Sequence, residues 1–498
     1  MKNKLVSLYD MVQLVDDAVL SEKYIRYICG LGNAKQYRHQ EIETISSLLQ
    51  ELHSENLKLD GFIFDYDVLQ LNREFDLLKI TEKTCLDIEL KSKNVSPEKI
   101  KTQLLSNKHY LRLLNKSNLF LFTYVEETNK LWFLDEDDHL GECEFDTLEA
   151  ILKSMEESDD EALDLDGVFS PENILISPLN APDRFLTHDY LLTEHQENIK
   201  KKILTLAKTE EKEFFVGITG GPGTGKTLLV YDLACTFAQN GYNVLIVHSG
   251  ILCEGHFAIE DKVDNLRVLS AKGFKSYDVD DVDIIVVDEA QRLHKNVYEK
   301  IIEVTEDCSA VGIFSFDDSQ TLSKSEEERN IAQKIEERCC EEYKLKGAIR
   351  TNKELLLFIT CLRDLSKFRP KEYTFPGARV IFEPDKIKAV ERAKKLKNEG
   401  YTFISYTPSM YNWAMDYQED EYNTHNVIGQ EFDSVCMILD EHFYYNSDGV
   451  LKATCHPNPD YIFEKLLYQG LTRVRSRIAV IVTTKDVLSK VLPLMKNT

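Results

Sequence analysis

Residues 214–239 read FFVGITGGPGTGKTLLVYDLACTFAQ, an apolar run, a glycine-rich turn and a second apolar run at helical spacing. The turn, Gly220, Gly221, Pro222, Gly223, Thr224, Gly225, Lys226 and Thr227, fits G-x-x-x-x-G-K-[ST] in the strand-to-helix setting that pattern requires. Glycines let successive backbone N–H groups curl around phosphate oxygens. The N-terminus of the following helix adds its positive end. Lys226 is expected to reach the outer phosphates of a nucleotide, and the Thr227 hydroxyl to bind Mg²⁺.

Outward from this loop the chain alternates. NVLIVHS, LRVLS, DIIVVDEA, AVGIFSF, FISYT, SVCMILD and RIAVIVTT are short apolar strands, most of them separated by helix-like stretches. That alternation predicts an α/β fold with parallel sheets. In DIIVVDEAQRL, four apolar residues lead to Asp288 and Glu289, an acidic pair at the end of a buried strand. Asp288 suits the Mg²⁺ carboxylate and Glu289 the group that activates water.

With GKT and DEAQ in place, further segments follow in the order found in superfamily 1 helicases, which the region 190–498 resembles. LTEHQENI is similar to their adenine-contacting motif, which implies Gln196 as a base-edge reader. VGIFSFDDSQTL resembles motif III, with Asp317 and Gln320 at the family spacing. LKGAIRTNKELLLFI resembles motif IV, with Arg350 as a phosphate-contacting arginine. NTHNVIGQEFDSV resembles motif V, but Ile428 stands before Gly429 where the family usually has Gln, and Gln430 follows one place later. LLYQGLTRVRSRIAVIV resembles motif VI, with Arg473 as the γ-phosphate arginine and Arg475 as the weaker choice. The likeness is to compact bacterial P-loop proteins related to the Schlafen helicase-like domain. It implies two RecA-like lobes around one ATP, with ATPase activity rather than processive strand separation.

The N-terminal half has a different chemistry. After helical patterns over 10–55 come GFIFDYDVLQL, EFDLLKI, TCLDIELKS and LFLFTYV, with an amphipathic helix before the last. Asp76 lies in one strand, and Glu89 and Lys91 lie two apart on one face of the next. A hairpin would set Asp76 beside Glu89, a carboxylate pair suited to Mg²⁺ or Mn²⁺ with a lysine to offset negative charge. The segment resembles the D…E-x-K pattern of PD-(D/E)xK nucleases, which implies a restriction-endonuclease-like fold with Gln103 on the following helix. Glu41 or Glu43 would be the upstream helix acid. Lys91–Lys116 carries seven bases against Glu98, a local basic patch.

Charge and cysteines bound the rest. The 498 residues hold 60 Lys+Arg and 85 Asp+Glu, a net charge of −25, which excludes a uniformly basic nucleic-acid coat. Residues Asp135–Gly167 alone hold fifteen acids against Lys153, a local −14. This stretch reads as a solvated acidic linker or as a phosphate mimic over a basic groove. The eleven cysteines contain no CxxC pair, and the start carries no signal-peptide pattern, so a soluble cytoplasmic protein without membrane contact is expected. The expected organisation is a nuclease-like domain with an acidic tail over 1–165 and a linker over 166–188. Lobe 1 then spans 189–340 and lobe 2 spans 341–498. The expected partners are ATP, Mg²⁺ or Mn²⁺, and nucleic acid, DNA before RNA, with oligomeric state and any partner subunit open. The pairing resembles bacterial nuclease–helicase defence proteins. The alternatives are a nucleotide-gated regulator with an inactive nuclease fold, or an RNA-directed enzyme.

Overall fold

The computed structural model describes residues 4–29, 37–68, 73–156, 164–169, 176–209, 214–276, 281–346, 353–370, 372–407, 422–454 and 460–495. The chain divides into two compact units, Met1–Asn173 and Ile174–Thr498.

The first unit is built on β1 (Phe62–Val68), β2 (Arg73–Ile80), β3 (Thr84–Lys91), β4 (Asn118–Val125), β5 (Lys130–Leu134) and β6 (Leu140–Cys143), adjacent in chain order. Only β3 and β4 pair in parallel; the other neighbours are antiparallel. A parallel step needs a crossover, which helix Pro97–Leu111 supplies, with proline at its start where a missing N–H costs nothing. Alternation then sorts β3. Leu86, Ile88 and Leu90 bury with Ile42, Ile45 and Leu48 of helix His39–Glu51, which turns Asp87, Glu89 and Lys91 to the opposite face.

The acidic stretch is folded over its first part, contrary to the linker expectation. It holds β6 and helix Phe145–Ser154, and Leu148, Leu152 and Met155 enter the same core as β3. Its described acids are exposed or half-buried apart from Glu149, which is buried and accepts the backbone N–H groups of His53 and Ser54. The apolar spacing of three to four was hidden among the acids. Lys108 of the basic helix donates to Asp138 at 2.6 Å. Residues 157–163 lie outside the described residues, so the mimic reading falls partly there.

The second unit contains β7 (Phe214–Thr219), β8 (Val244–His248), β9 (Leu266–Ser270), β10 (Ile284–Asp288), β11 (Val311–Phe316) and β12 (Glu341–Lys344) in one parallel sheet, order β12-β7-β11-β10-β8-β9. A further parallel sheet holds β13 (Ala378–Phe382), β14 (Thr402–Phe403), β15 (Phe432–Leu439) and, after the small hairpin of β16 (Phe443–Tyr445) and β17 (Leu451–Ala453), β18 (Val474–Val482), in the order β13-β18-β15-β14. Strands β8, β10 and β11 are buried along their whole length, as helix-covered parallel strands must be. This mixed α/β architecture agrees with the alternation in the sequence.

Two boundaries differ from expectation. β12 pairs with β7 from Val216 to Thr219, so 341–344 belong to the first sheet. Its sequence, EEYK, is an edge strand with three exposed residues and no apolar run to mark it. The segment expected as a linker packs from Ile176 onward. Ile176, Leu179 and Phe185 enter the core beside β7, with the Phe185 and Tyr190 rings stacked at 5.2 Å. Among the described residues no helix is long and apolar enough to cross a membrane.

Candidate functional site

In the first parallel sheet the C-terminal ends of β7, β8, β10 and β11 meet, the place where open α/β sheets bind ligands. The phosphate loop leaves β7 there. Gly223 (φ 69°) and Gly225 (φ 84°) take left-handed backbone, which only glycine adopts without strain. A side chain on Gly225 would also collide with the Gln196 amide. Thr224 Oγ1 closes the turn on the Gly221 carbonyl at 2.9 Å. Lys226 opens the buried helix Lys226–Gln239, and its Nζ donates to the carbonyls of Gly220 (2.6 Å) and Gly221 (3.1 Å).

Gln196 is buried, with both ends of its amide engaged by the chain. Its Oε1 accepts from the Thr193 N–H at 2.9 Å, and its Nε2 donates to the Thr224 carbonyl at 3.2 Å. In this structure it braces the phosphate loop from below and is not presented as a base-edge reader.

Thr227 Oγ1 donates to Asp288 Oδ2 at 3.2 Å, and Ser315 Oγ, at the end of β11, donates to the other carboxylate oxygen. A hydroxyl and a fully buried carboxylate are hard oxygen donors that fit Mg²⁺. Glu289 follows in left-handed backbone (φ 56°), a conformation that costs on the order of 1–3 kcal/mol for a non-glycine residue and clusters at working sites. Its carboxylate accepts from Gln291 Nε2 at 2.7 Å and lies 3.5 Å from Arg292 Nε. Burial pushes this carboxyl up, but Arg292, Lys226 and Arg473 outweigh it and hold the pKa below the ordinary value.

One buried path links the two sheets of this unit. Lys226 Nζ is 3.7 Å from Asp317 Oδ2, Gln320 Nε2 donates to that same oxygen at 2.5 Å, and Arg473 Nη2 donates to Gln320 Oε1 at 3.0 Å. Arg475 is instead paired with Glu431 at 3.4 Å. Arg350 lies outside the described residues. In the motif V-like segment, Gly429 is left-handed (φ 78°) and Gln430 donates to its own Asn426 carbonyl at 2.8 Å. The sequence reading missed Ser315, His248 and Arg292. His248 ends β8 fully buried, 3.5 Å from Asp288, and its signal was only a polar residue closing an apolar strand. A cleft of about 970 Å³ is lined among others by Lys272, Lys275, Arg292, Arg329, His425 and Tyr461.

In the first unit, β2 and β3 pair with Leu77 opposite Ile88, the register that sets Asp76 beside Glu89. Asp76 Oδ2 accepts the Leu90 N–H at 2.7 Å, and Lys91 Nζ lies 3.1 Å from Glu89 and 3.9 Å from Asp76. Burial and the Glu89 charge push the Asp76 carboxyl well above its ordinary range, against the pull of Lys91. A half-buried and a buried carboxylate sharing one lysine are an incomplete charge balance that a divalent cation fits. From helix Pro97–Leu111, Gln103 Nε2 donates to Glu89, and Asn107 Nδ2 bridges Glu89 (2.8 Å) and Asp87 (2.6 Å). Of the two upstream acids, Glu41 adds to the field on Asp76, while Glu43 faces His39 at 3.7 Å.

Residues 213–433 match the family model described as Schlafen group 3, DNA/RNA helicase domain. No curated protein matches the chain. Among solved structures it is similar to the flagellar accessory protein FlaH from Methanocaldococcus jannaschii, at 14% identity and a TM-score of 0.23, over 30% of this chain and 79% of that one. The helicase-like match suggests an ATP-dependent ATPase that binds and acts on nucleic acid.

Proposed function

We propose that this chain is a nucleic-acid-processing enzyme with two active sites, a PD-(D/E)xK-type metal-dependent nuclease in the first unit and a superfamily 1 helicase-like translocase in the second. The observation that carries the reading is the buried path Lys226–Asp317–Gln320–Arg473, which connects phosphate loop, motif III-like loop and motif VI-like arginine. Groups so connected change position together when a nucleotide enters or leaves.

In the second unit, loop N–H groups and Lys226 hold the ATP phosphates, and Glu289 orients the attacking water. Arg473, with Arg350 as the expected second arginine, stabilises charge on the transferred phosphoryl. A Mg²⁺ held by Thr227 and Asp288 would offset phosphate charge. The cleft lined by Arg292 is the path for a single strand, which its basic lining supports. In the first unit, Asp76 and Glu89 would hold Mg²⁺ or Mn²⁺, which acidifies a bound water. Lys91 offsets charge on the scissile phosphate, and Gln103 and Asn107 fix the Glu89 carboxylate. DNA is the favoured substrate, and defence against foreign DNA the favoured role, because the pairing resembles nuclease–helicase defence systems.

One experiment addresses both sites. The full chain is given Mg²⁺ or Mn²⁺ with labelled DNA and RNA, with and without ATP, beside Lys226→Ala and Asp76→Ala. Lys226→Ala is expected to lower ATP hydrolysis at least about 100-fold. Asp76→Ala is expected to stop cleavage and spare hydrolysis. Wild-type hydrolysis in Lys226→Ala rejects the nucleotide site, and wild-type cleavage no greater than that of Asp76→Ala rejects the nuclease.

A further inference from the structure

Arg292 stands out among the buried charges. It ends the short turn Ala290–Arg292 directly after Glu289, is 5% exposed and lines the cleft. Among the described residues none of its three guanidinium nitrogens has a hydrogen-bond partner, and its ion pair is with Glu289, 3.5 Å from Nε. Leaving a buried guanidinium with unmet donors is unfavourable unless an acceptor arrives from elsewhere. Arg292 lines the cleft with its side chain turned inward and 1% exposed, so an acceptor in the cleft meets it once the side chain turns outward. At its margin Lys272 and Lys275 are exposed and Arg329 is half-buried, so three further cations face the same space. Glu326 and Asp460 also line it, but both are engaged by the chain: Glu326 accepts the Leu322 N–H at 2.6 Å, and Asp460 accepts the Ser325 N–H at 3.0 Å. His425, beside Arg292, is held neutral by its burial and by that guanidinium, with a pKa of about 4.

We propose that Arg292 is a positioning residue that couples strand binding to ATP hydrolysis. Without a strand, it holds the Glu289 carboxylate by their ion pair. A backbone phosphate entering the cleft offers two oxygens to its free N–H donors, the geometry in which guanidinium binds best. Arg292 turns to the phosphate, and Glu289 loses that ion pair. Gln291 stays in place, because its Oε1 accepts the Asp317 N–H at 3.1 Å. Glu289, still held by Gln291 Nε2 but released from Arg292, then orients water. The proposal rests on the ATPase reading above, and names the regulation of that site by a single-stranded phosphodiester.

The test measures steady-state ATP hydrolysis of the full chain at saturating Mg-ATP, without a strand and with saturating single-stranded oligothymidylate or oligouridylate. Inorganic phosphate is the control. Wild type is expected to be stimulated within the range of about 5–150-fold that links ordinary coupled sites. In Arg292→Met the unstimulated rate is expected to rise and the stimulation ratio to fall to about one. Arg292→Lys, which keeps the charge with fewer donors, is expected to keep part of the ratio. The two arms tell whether DNA or RNA is the effective strand.

A ratio in Arg292→Met equal to that of wild type overturns the proposal. So does a ratio that recovers at higher strand concentration with the unstimulated rate unchanged, because Arg292 would then only bind the strand. If Arg292→Met does not melt cooperatively, Arg292→Lys alone decides, and an undiminished ratio there counts against coupling. Hydrolysis that persists in Lys226→Ala removes the ATP site itself and the coupling with it, a separate and recognisable failure.

Discussion

His256 is the clearest case of a single residue that sets a solution property. Its ring is buried 4.5 Å from that of His248, and burial, reinforced by His248, lowers its pKa from 6.5 to about 3. The unfolded imidazole therefore takes a proton at a pH where the folded one does not. Stability is full above about pH 6.5 and falls as pH drops toward about 3, by an amount on the order of a few kcal/mol. Thermal melts from pH 8 to pH 4.5 are expected to show the second unit losing stability through this window. His256→Gln is expected to flatten that slope; an equal slope in the variant assigns the acid lability elsewhere. At this scale the sequence was informative about residues whose spacing is itself the chemistry. Thr227 lies against Asp288 in the second unit, and Asp76, Glu89 and Lys91 lie together in the first. It was uninformative about direction. Gln196 occupies a motif position but points under the loop, and Arg292 looks like any charge after an acidic pair until its burial is known.

Elements were legible where one periodicity dominated. The buried strands of the parallel sheets and the hairpin of Asp76 and Glu89 follow from apolar runs and from period two. Helix Phe145–Ser154 was not, because it sits inside an acidic run, with Glu142 and Glu144 before it and Glu156 after it, that masks its apolar spacing. Only Leu148, Leu152 and Met155 reveal that this segment is core. Leu148→Ala should therefore lower the unfolding free energy of the first unit by about 2–5 kcal/mol, the cost of a cavity in a packed core. Urea denaturation of the full chain measures this. A variant indistinguishable from wild type would return the segment to the status of a linker.

For the whole molecule, the division at 173/174 is a division of cores. Helix His39–Glu51 and β3 share one apolar cluster in the first unit, while the second unit has clusters of its own around its two parallel sheets. The first unit is within the size of a single domain, and the second, larger unit divides its apolar clusters between two parallel sheets. The fragment Ile174–Thr498, expressed alone, should then hydrolyse ATP within about twofold of the full chain when no strand is added. A fragment that is folded by circular dichroism but at least tenfold slower would mean that the first unit contributes to that site.

The exposed strand β12 has a consequence for life at high concentration. A parallel sheet that ended on the apolar β7 would offer an open row of backbone donors and acceptors to any neighbouring chain. Instead the row is closed by Glu341, Glu342, Tyr343 and Lys344, three of them exposed and all three charged. Charged edges repel a second strand before its hydrogen bonds can form. This short segment, the least conspicuous strand in the sequence, thus acts as a guard against fibre-like self-association of the sheet that carries the phosphate loop.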